Sequence, residues 1–511
     1  MSKNNYENRV FNETSLKKLE IKIIRDFALI NHPIKDWNPR KMGPDGKPLI
    51  DVLIVGGGMN GLAASLALRL AGITNIRHVD SQPKGLSGPW LNYARMDLLR
   101  SPKNLVGPAQ NFPNLTFRAW WEAKYSPISW ETFEYIERPV WAEYLNWFEK
   151  ISNANVEFET KVTDIDTLSQ KNNTTHSPQG FIVKANLTRT NPSLGSKAQN
   201  DAQTVYARHL VLATGREGLA QKRIPKIFMN SSFSKMIKHS SEDVDYTSLA
   251  GKSVAVIGMG ASAFDNAATA AEAGAHVTLI GRAPSVPRLN KMKQTVYPGF
   301  SEGFSKLANK EKINWLLHIF KNKVAPPKQT VNRVAKLNIK LMTGAQTEEV
   351  HLIEKQLHLG IREKRNSDLT KLIFDHVIVA AGFKINLSIA PELSLVSKDI
   401  KIWRDVLPIQ DRTASDWDTE ILDFPYLGEG FEFQSRTNKN NSLKHIHCFN
   451  HAAQISLGNL SNDIPHSGVG AQRLARSITS QLFLDDREYH FSQLKEYDSP
   501  EITGEEWDQI K

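Results

Sequence analysis

The chain carries a glycine-rich loop whose spacing suits the phosphates of a dinucleotide. Residues 56–61 read Gly-Gly-Gly-Met-Asn-Gly and directly follow the aliphatic run Val52 to Val55. A G-x-G-x-x-G sequence between a strand and a helix lets backbone amides approach a pyrophosphate at the helix N-terminus. Asp80 follows the loop by about twenty residues, the distance at which an acid accepts the ribose hydroxyls. Because an acid there repels a 2′-phosphate, this loop predicts a site for FAD or NAD rather than NADP.

A second loop has the same form but a different partner. Residues 258–263 read Gly-Met-Gly-Ala-Ser-Ala after the strand-like Ser253 to Ile257, and the next strand-like run ends in Gly281-Arg282 without an acid. A guanidinium in that place can bind a 2′-phosphate through paired, charge-assisted hydrogen bonds. The loop therefore predicts an NADPH site, with a solvated surface arginine as the alternative for Arg282. One loop that prefers a ribose without a 2′-phosphate and one that prefers a ribose with it, in the same chain, predict hydride transfer from NADPH to a flavin.

Each loop needs a strand before it and a helix after it, and this requirement fixes the expected fold. The predicted class is α/β, with two Rossmann-like dinucleotide-binding domains and the NADPH domain inserted into the FAD domain. A polar segment from Ser169 to Thr204 is expected to form a long surface hairpin. The predicted units are an N-terminal extension (1–49), the first part of the FAD domain (50–235) with an aromatic-rich insertion (90–150), the NADPH domain (236–383), the second part of the FAD domain (384–488) and a C-terminal tail (489–511).

Composition excludes several other classes of protein. A chain of 511 residues exceeds the usual size of one hydrophobic core. The formal net charge is +10, but Lys and Arg are scattered, so no nucleic-acid partner is expected. Cys448 is the only cysteine, which excludes an internal disulfide and a CxxC pair, and no metal site is expected. The polar N-terminus and the glycine-interrupted apolar stretch from Val52 to Gly72 predict a cytoplasmic protein without a membrane span. A homo-oligomer is left open.

Further segments resemble the two-dinucleotide-binding-domain flavoproteins, and within them the class B flavin monooxygenases (flavin-containing, Baeyer-Villiger and N-hydroxylating enzymes). The strings 209–215 and 376–382, which end in Ala-Thr-Gly and Ala-Ala-Gly, resemble the strands that link the two domains of this group. Gly88-Pro89-Trp90 resembles its GG-x-W segment near the flavin. Phe233 and His239 match the spacing of its FxGxxxH fingerprint, although Lys235 replaces the glycine. The resemblance covers residues 50–485.

The motifs and the resemblance together imply the site residues. The expected cofactors are FAD and NADPH. Asp97, Arg100 and Lys103 are candidate catalytic residues, because 93–103 resembles the segment that crosses the flavin in flavin-containing monooxygenases; pairing that only holds loops is the alternative. The expected cofactor-binding residues are Gly56, Gly58, Asn60, Gly61, Asp80, Ser81, Gly88, Trp90, Val162, Thr214, Gly215, Gly258, Gly260, Ala261, Ser262, Ala263, Arg282, Ala381, Gly382 and Asp463.

The function implied is an NADPH-dependent FAD monooxygenase. NADPH would reduce FAD, dioxygen would add to the flavin, and the resulting C4a-peroxyflavin would oxygenate a small organic substrate. Disulfide reduction is excluded because Cys448 alone supplies no dithiol. Two alternatives stay open: an NADPH-dependent flavin oxidase or reductase without oxygenation, and a non-catalytic, redox-responsive regulatory protein that binds FAD and NADPH. The expected partners are a small-molecule substrate, which the sequence does not name, and dioxygen.

Overall fold

A computed structural model describes residues 12–169, 181–189, 202–321, 324–364, 368–407, 420–437 and 441–509. The predicted hairpin from Ser169 to Thr204 falls partly outside these ranges, at 170–180 and 190–201. The described parts next to it form long antiparallel strands. The strands are β1 (Ile50–Val55), β2 (Ile76–Val79), β3 (Leu98–Pro102), β4 (Tyr135–Glu137), β5 (Val156–Glu157), β6 (Thr160–Ser169), β7 (Phe181–Arg189), β8 (Gln203–Leu212), β9 (Ala220–Lys222), β10 (Ile237–His239), β11 (Ser253–Ile257), β12 (His276–Gly281), β13 (Lys340–Thr343), β14 (Ala345–Ile353), β15 (Gln356–Glu363), β16 (Leu369–Phe374), β17 (His376–Val379), β18 (Phe383–Ile385) and β19 (Ile446–His447).

The α-helices pack on the faces of the sheets. They are α1 (Glu13–Leu29), α2 (Met59–Leu70), α3 (Phe117–Lys124), α4 (Pro127–Trp130), α5 (Arg138–Ile151), α6 (Ala261–Glu272), α7 (Pro298–Gly303), α8 (Asn309–Lys321), α9 (Lys328–Ala335), α10 (Trp403–Val406), α11 (Gln454–Leu457), α12 (Ser467–Asp485) and α13 (Arg487–Glu496).

The first sheet has the strand order β5-β2-β1-β8-β7-β6, with β19 beside β8. Strand β1 pairs in parallel with β2 and β8, and β19 also runs parallel to β8. The carboxyl ends of these four strands therefore meet at one edge of the sheet. That edge carries the first glycine loop, Asp80, Thr214 and the residues that follow His447, which is where a doubly wound sheet binds ligands.

The second sheet is parallel throughout, in the order β10-β17-β11-β12-β13. Its strands come from residues 237–379, between β8 and β19 of the first sheet. The second dinucleotide-binding unit is thus inserted into the first, which confirms the predicted fold class. The carboxyl ends of β11, β12 and β17 place Gly258, Arg282 and Ala380 along one edge.

The aromatic-rich insertion forms a core of its own. Phe117 lies at its centre, with ring centroids of five neighbouring aromatic residues 5.4–6.1 Å away. Leu19 and Ile23 of α1 are buried in the same cluster, so the N-terminal extension packs on the insertion. The buried aromatic side chains of the insertion include Phe117, Trp120, Trp121, Trp130, Trp141, Tyr144, Trp147 and Phe148. Most of this tryptophan-rich segment is therefore core, whereas Trp90 and Trp130 also face a large cleft.

Candidate active site

A cleft of about 2380 Å³ brings the ends of both parallel sheets together. Its walls include residues from the first loop, the segment 88–106, the strings after β8 and β17, and the segment 461–465. Sixteen residues expected from the sequence line it: Gly56, Gly58, Asn60, Asp80, Ser81, Gly88, Trp90, Arg100, Lys103, Val162, Thr214, Gly215, Ser262, Ala381, Gly382 and Asp463. One continuous space thus connects both dinucleotide loops.

The first loop has the geometry of a phosphate-binding turn. Gly56 has φ +112°, and a Cβ there would lie 2.4 Å from the carbonyl oxygen of Ala213. A Cβ on Gly61 would lie 1.8 Å from the carbonyl oxygen of Gly56, so only glycine fits where the first turn of α2 packs against the loop. The N-cap of α2 is Gly58, which has no side-chain cap. The first amides of the helix are therefore left for a ligand with negative charge.

Asp80 is fixed beside this loop by two backbone amides. The amide of Gly57 donates to Oδ2 at 2.6 Å and that of Gln82 donates to Oδ1 at 2.7 Å. The side chain is buried but still lines the cleft. Since each carboxylate oxygen can accept more than one hydrogen bond, Asp80 keeps capacity for the hydroxyls of a ribose.

Buried polar atoms at the cleft wall fit a flavin nucleotide. Among the described residues, Oδ1 of Asn60, Oδ1 of Asn462 and Nδ1 of His451 are buried and have no hydrogen-bond partner. All three residues line the cleft. A buried polar group without a partner costs about 1–3 kcal/mol, so these atoms favour a ligand rich in hydrogen-bonding groups. The residues that would hold FAD are the first loop, Asp80, Asn60 and the segment 461–463.

The second loop opens toward the same cleft. Helix α6 begins after Gly260, which again provides no side-chain cap, and a Cβ on Gly260 would meet nothing within 4 Å. Ser262 lines the cleft, whereas Gly258, Gly260, Ala261 and Ala263 are not among its lining residues. This geometry fits a pyrophosphate at the start of α6. Arg282 follows β12, is exposed and makes no ion pair with a described residue.

The three candidate catalytic residues differ in their surroundings. Arg100 lines the cleft with Nη2 3.6 Å from Oδ2 of Asp265 on α6. Lys103 also lines it, but its ammonium group donates to the carbonyl of Trp130 and lies 4.8 Å from the centroid of that ring. Asp97 does not line the cleft; its carboxylate lies 3.3 Å from Nε of Arg333. The structure brings Arg100 and Lys103 to the site, whereas Asp97 holds a loop against α9.

Four cleft residues that the sequence reasoning did not single out lie beside Gly215. Arg216 lines the cleft with an exposed side chain and makes no ion pair with a described residue. Burial and the nearby Glu217 raise the pKa of Tyr93. Burial, and then Arg216, lowers the pKa of His451 to about 3, so its imidazole is neutral. Arg216 and Glu217 could have been noticed as charged residues directly after the Ala-Thr-Gly string.

His239, which matches the family fingerprint, has a structural role. It is fully buried, and its Nε2 lies 3.0 Å from the carbonyl oxygen of Gly382 while Nδ1 lies 2.9 Å from Oγ of Ser241. Both ring nitrogens are thus engaged, and the ring links β10 to the string after β17. Cys448 is buried as well, and its thiol lies 3.4 Å from Oδ1 of Asn450.

Comparison with protein families identifies the class. Residues 50–397 match the pyridine nucleotide-disulphide oxidoreductase family, and the chain belongs to this family. A curated relative, the FAD-dependent urate hydroxylase of Xanthomonas campestris pv. campestris, is 30% identical over 504 residues, which cover 97% of this chain and 98% of the relative. The predictions of an FAD- and NADPH-dependent oxidoreductase of the monooxygenase type are thereby confirmed.

Solved structures share the fold at low sequence identity. The ornithine hydroxylase of Pseudomonas aeruginosa has a TM-score of 0.63 at 15% identity and covers 85% of this chain and 100% of its own. A cadaverine monooxygenase of Erwinia amylovora, solved with FAD, has a TM-score of 0.61 at 16% identity, and the match covers 84% of this chain and 95% of that one.

Among the described residues, no helix combines the length and apolar character needed to cross a membrane.

Proposed function

We propose that the protein is an NADPH-dependent FAD monooxygenase whose substrate is a small, planar anion of the urate type. The observation that carries the substrate class is the guanidinium of Arg216, which lines the cleft between the two loops without an ion pair to a described carboxylate. The near full-length similarity to a urate hydroxylase supports this class.

The charges at the cleft wall favour an anion over an amine. Three cleft carboxylates already have cationic neighbours: Glu420 pairs with Arg223, Asp265 lies near Arg100, and Glu242 pairs with Lys222 at 2.9 Å. Burial raises the pKa of Glu217, which weakens it as a partner for an ammonium group. Arg216 is therefore available to a substrate, and a planar guanidinium matches a planar anion.

The proposed roles follow from position. Bound FAD supplies hydride acceptance from NADPH and the activation of dioxygen. The start of α2 with Asp80 would hold the adenosine half of FAD, whereas the start of α6 with Arg282 would hold NADPH. Arg216 would orient the substrate anion, the neutral His451 would offer a hydrogen bond through Nδ1, and the Tyr93 hydroxyl with Glu217 would hold a proton at the wall.

The proposal includes the domain boundaries and the other site residues that were predicted from the sequence. Arg100 would take part by keeping Asp265 near the junction of the two units, and Lys103 by fixing the aromatic wall around Trp130. The single buried thiol and the need for NADPH support a reducing, cytoplasmic location.

The test uses the purified holoenzyme with urate, xanthine and ornithine as substrates. We expect urate to accelerate NADPH oxidation, and the product to contain one oxygen atom from ¹⁸O₂. Hydrogen peroxide in the amount of NADPH consumed, with no labelled product from any substrate, would instead support an oxidase. Acceleration by ornithine alone would contradict the anion class.

A matched pair of variants separates substrate from cofactor recognition. Arg216→Met should raise KM for urate by roughly 10- to 150-fold, the range for a lost charge-assisted hydrogen bond, and should change KM for NADPH little. Arg216→Lys should recover part of the loss. If Arg216→Met instead raises KM for NADPH and leaves that for urate unchanged, Arg216 binds a cofactor phosphate.

A further inference from the structure

Three histidines meet in the protein interior, away from the cleft in which the proposed reaction would take place. His209 lies on β8, His447 on β19 and His445 just before β19, and their side chains are at most 2% exposed. The ring centroids of His209 and His445 are 4.7 Å apart. Asp485, the last residue of α12, approaches the same point. None of the four residues lines the cleft.

The hydrogen bonds of the cluster fix the tautomers of two of the rings. Nδ1 of His447 lies 2.7 Å from the carbonyl oxygen of Gly430, which can only accept, so Nδ1 carries the proton. With the proton of the neutral ring on Nδ1, Nε2 of His447 is an acceptor and faces His209. Nδ1 of His209 lies 3.0 Å from that Nε2 and must donate to it.

This chain of donors leaves a lone pair on Nε2 of His209 that receives no hydrogen bond from a described residue. Since Nδ1 of His209 donates to His447, the neutral imidazole of His209 carries its proton on Nδ1. Nε2 of His209 is then an unprotonated, fully buried nitrogen without a hydrogen-bond partner among the described residues. A histidine oriented by a hydrogen bond from its other nitrogen is the usual arrangement of a metal ligand.

We propose that His209, His445 and Asp485 bind a divalent transition-metal ion of the zinc class. Each of the three offers one ligand atom, and these atoms lie within 4.8 Å of one another. Zinc bonds to imidazole nitrogen and carboxylate oxygen are about 2.0–2.2 Å long, which places tetrahedral ligand atoms about 3.4 Å apart, so the most distant pair must close by about 1 Å or more. Side-chain rotations of Asp485, which is only partly buried, can supply this movement.

Two cationic side chains, Arg208 and Lys444, lie near the cluster, and each has partners of its own. Arg208 is adjacent in sequence to His209, but its guanidinium is engaged 2.7 Å from Oδ2 of Asp486. Oδ1 of Asp485 accepts from Gln481 at 2.9 Å, which orients the carboxylate. The ion would connect the central strand β8, the segment before β19 and the C-terminal end of α12. Its role would be structural, because none of its three ligands lines the cleft. The opposite end of α12 borders the segment 461–465 of the cleft.

This proposal departs from the sequence prediction of no metal site, because the ligands are 236 and 40 residues apart in the chain (445 − 209 and 485 − 445). The three ligands do not form a short sequence motif. Only the pairing of β8 with β19 and the packing of α12 bring them together.

The test uses the full-length holoenzyme without an affinity tag, stripped with a chelator and then titrated with Zn²⁺ or Co²⁺. We expect one bound metal ion per chain by elemental analysis, a higher midpoint of thermal unfolding with Zn²⁺ than with Mg²⁺, and visible d–d bands of tetrahedral Co²⁺. A wild-type protein that retains no stoichiometric metal and shows no d–d bands would overturn the proposal.

Two ligand variants and one control assign the site. Asp485→Asn and His445→Gln should each weaken Co²⁺ binding at least about tenfold, with FAD absorbance and circular dichroism reporting that the fold is kept. His276→Gln changes an exposed histidine on β12 and should leave binding unchanged. Co²⁺ bands that persist in both ligand variants would place the metal elsewhere and contradict the assignment.

Discussion

The side-chain amide of Asn60 donates through Nδ2 to the carbonyl oxygen of Ser461, 401 residues later in the chain. Asn60 belongs to the first glycine loop, whereas Ser461 lies in the segment before α12. The bond therefore joins the two parts of the FAD unit on either side of the inserted NADPH unit. Oδ1 of the same side chain is buried without a described partner, and Asn60 lines the cleft.

Replacing Asn60 should weaken FAD binding more than it weakens the fold. Asn60→Ala removes the donor to Ser461 and the free acceptor at the cleft, and each lost or unsatisfied hydrogen bond costs about 1–3 kcal/mol. We expect FAD to dissociate during dialysis, with Kd raised about tenfold or more. The matched control is Asn75→Ala, which removes a donor to the carbonyl of Leu49 away from the cleft. Equal FAD retention in the two variants would contradict the role of Asn60.

Arg282 should decide between NADPH and NADH. The cofactors differ by one phosphate group, and Arg282 is an exposed guanidinium at the end of β12. Arg282→Ala should raise KM for NADPH by roughly 10- to 150-fold and leave KM for NADH nearly unchanged. Steady-state kinetics with both cofactors measure this. The same increase for both, or for neither, would show that the 2′-phosphate is bound by other residues.

Stability should fall in mild acid in part because of His78. This ring is buried, its Nε2 lies 2.9 Å from the carbonyl oxygen of Gly56, and burial lowers its pKa to about 4. Its unfolded-state pKa is about 6.5. Because the unfolded chain then binds the proton more readily, His78 costs no stability above pH 6.5, and its cost grows as the pH falls from 6.5 to 4. The total loss is roughly 3 kcal/mol.

The variant His78→Gln isolates this term from those of the other buried histidines. Its amide can still donate toward Gly56 but does not titrate, so its free energy of unfolding should decline less than that of the wild type between pH 7 and pH 5. Urea unfolding at both values measures the difference, with His276→Gln as the exposed control. Parallel declines in wild type and His78→Gln would refute the assignment.

The local parts of the site were predictable from the sequence, whereas its convergent parts were not. The loops at 56–61 and 258–263, Asp80 and Arg282 occupy the predicted places, because strand, turn and helix are encoded by neighbouring residues. Arg216, Tyr93 and His451 meet only through tertiary packing, and single residues without a spacing rule give no signal. Asp97 was expected at the flavin from local resemblance, but side-chain direction depends on Arg333, which lies on a helix far along the chain.

A buried ion cluster behind the first sheet should carry a large share of the stability. Arg208 is 4% exposed, lies 2.7 Å from Asp486 and 3.7 Å from Asp51, and Asp486 also binds Lys41. Arg208→Met would leave two buried carboxylates with less compensation, and breaking a buried pair in this way costs about 3–5 kcal/mol. Chemical unfolding should report this loss. The control Arg404→Met breaks a half-exposed pair with Asp423 and should cost at most about 1 kcal/mol. If both variants lose the same small amount, the buried cluster is not a main source of stability, because its desolvation then offsets its attraction.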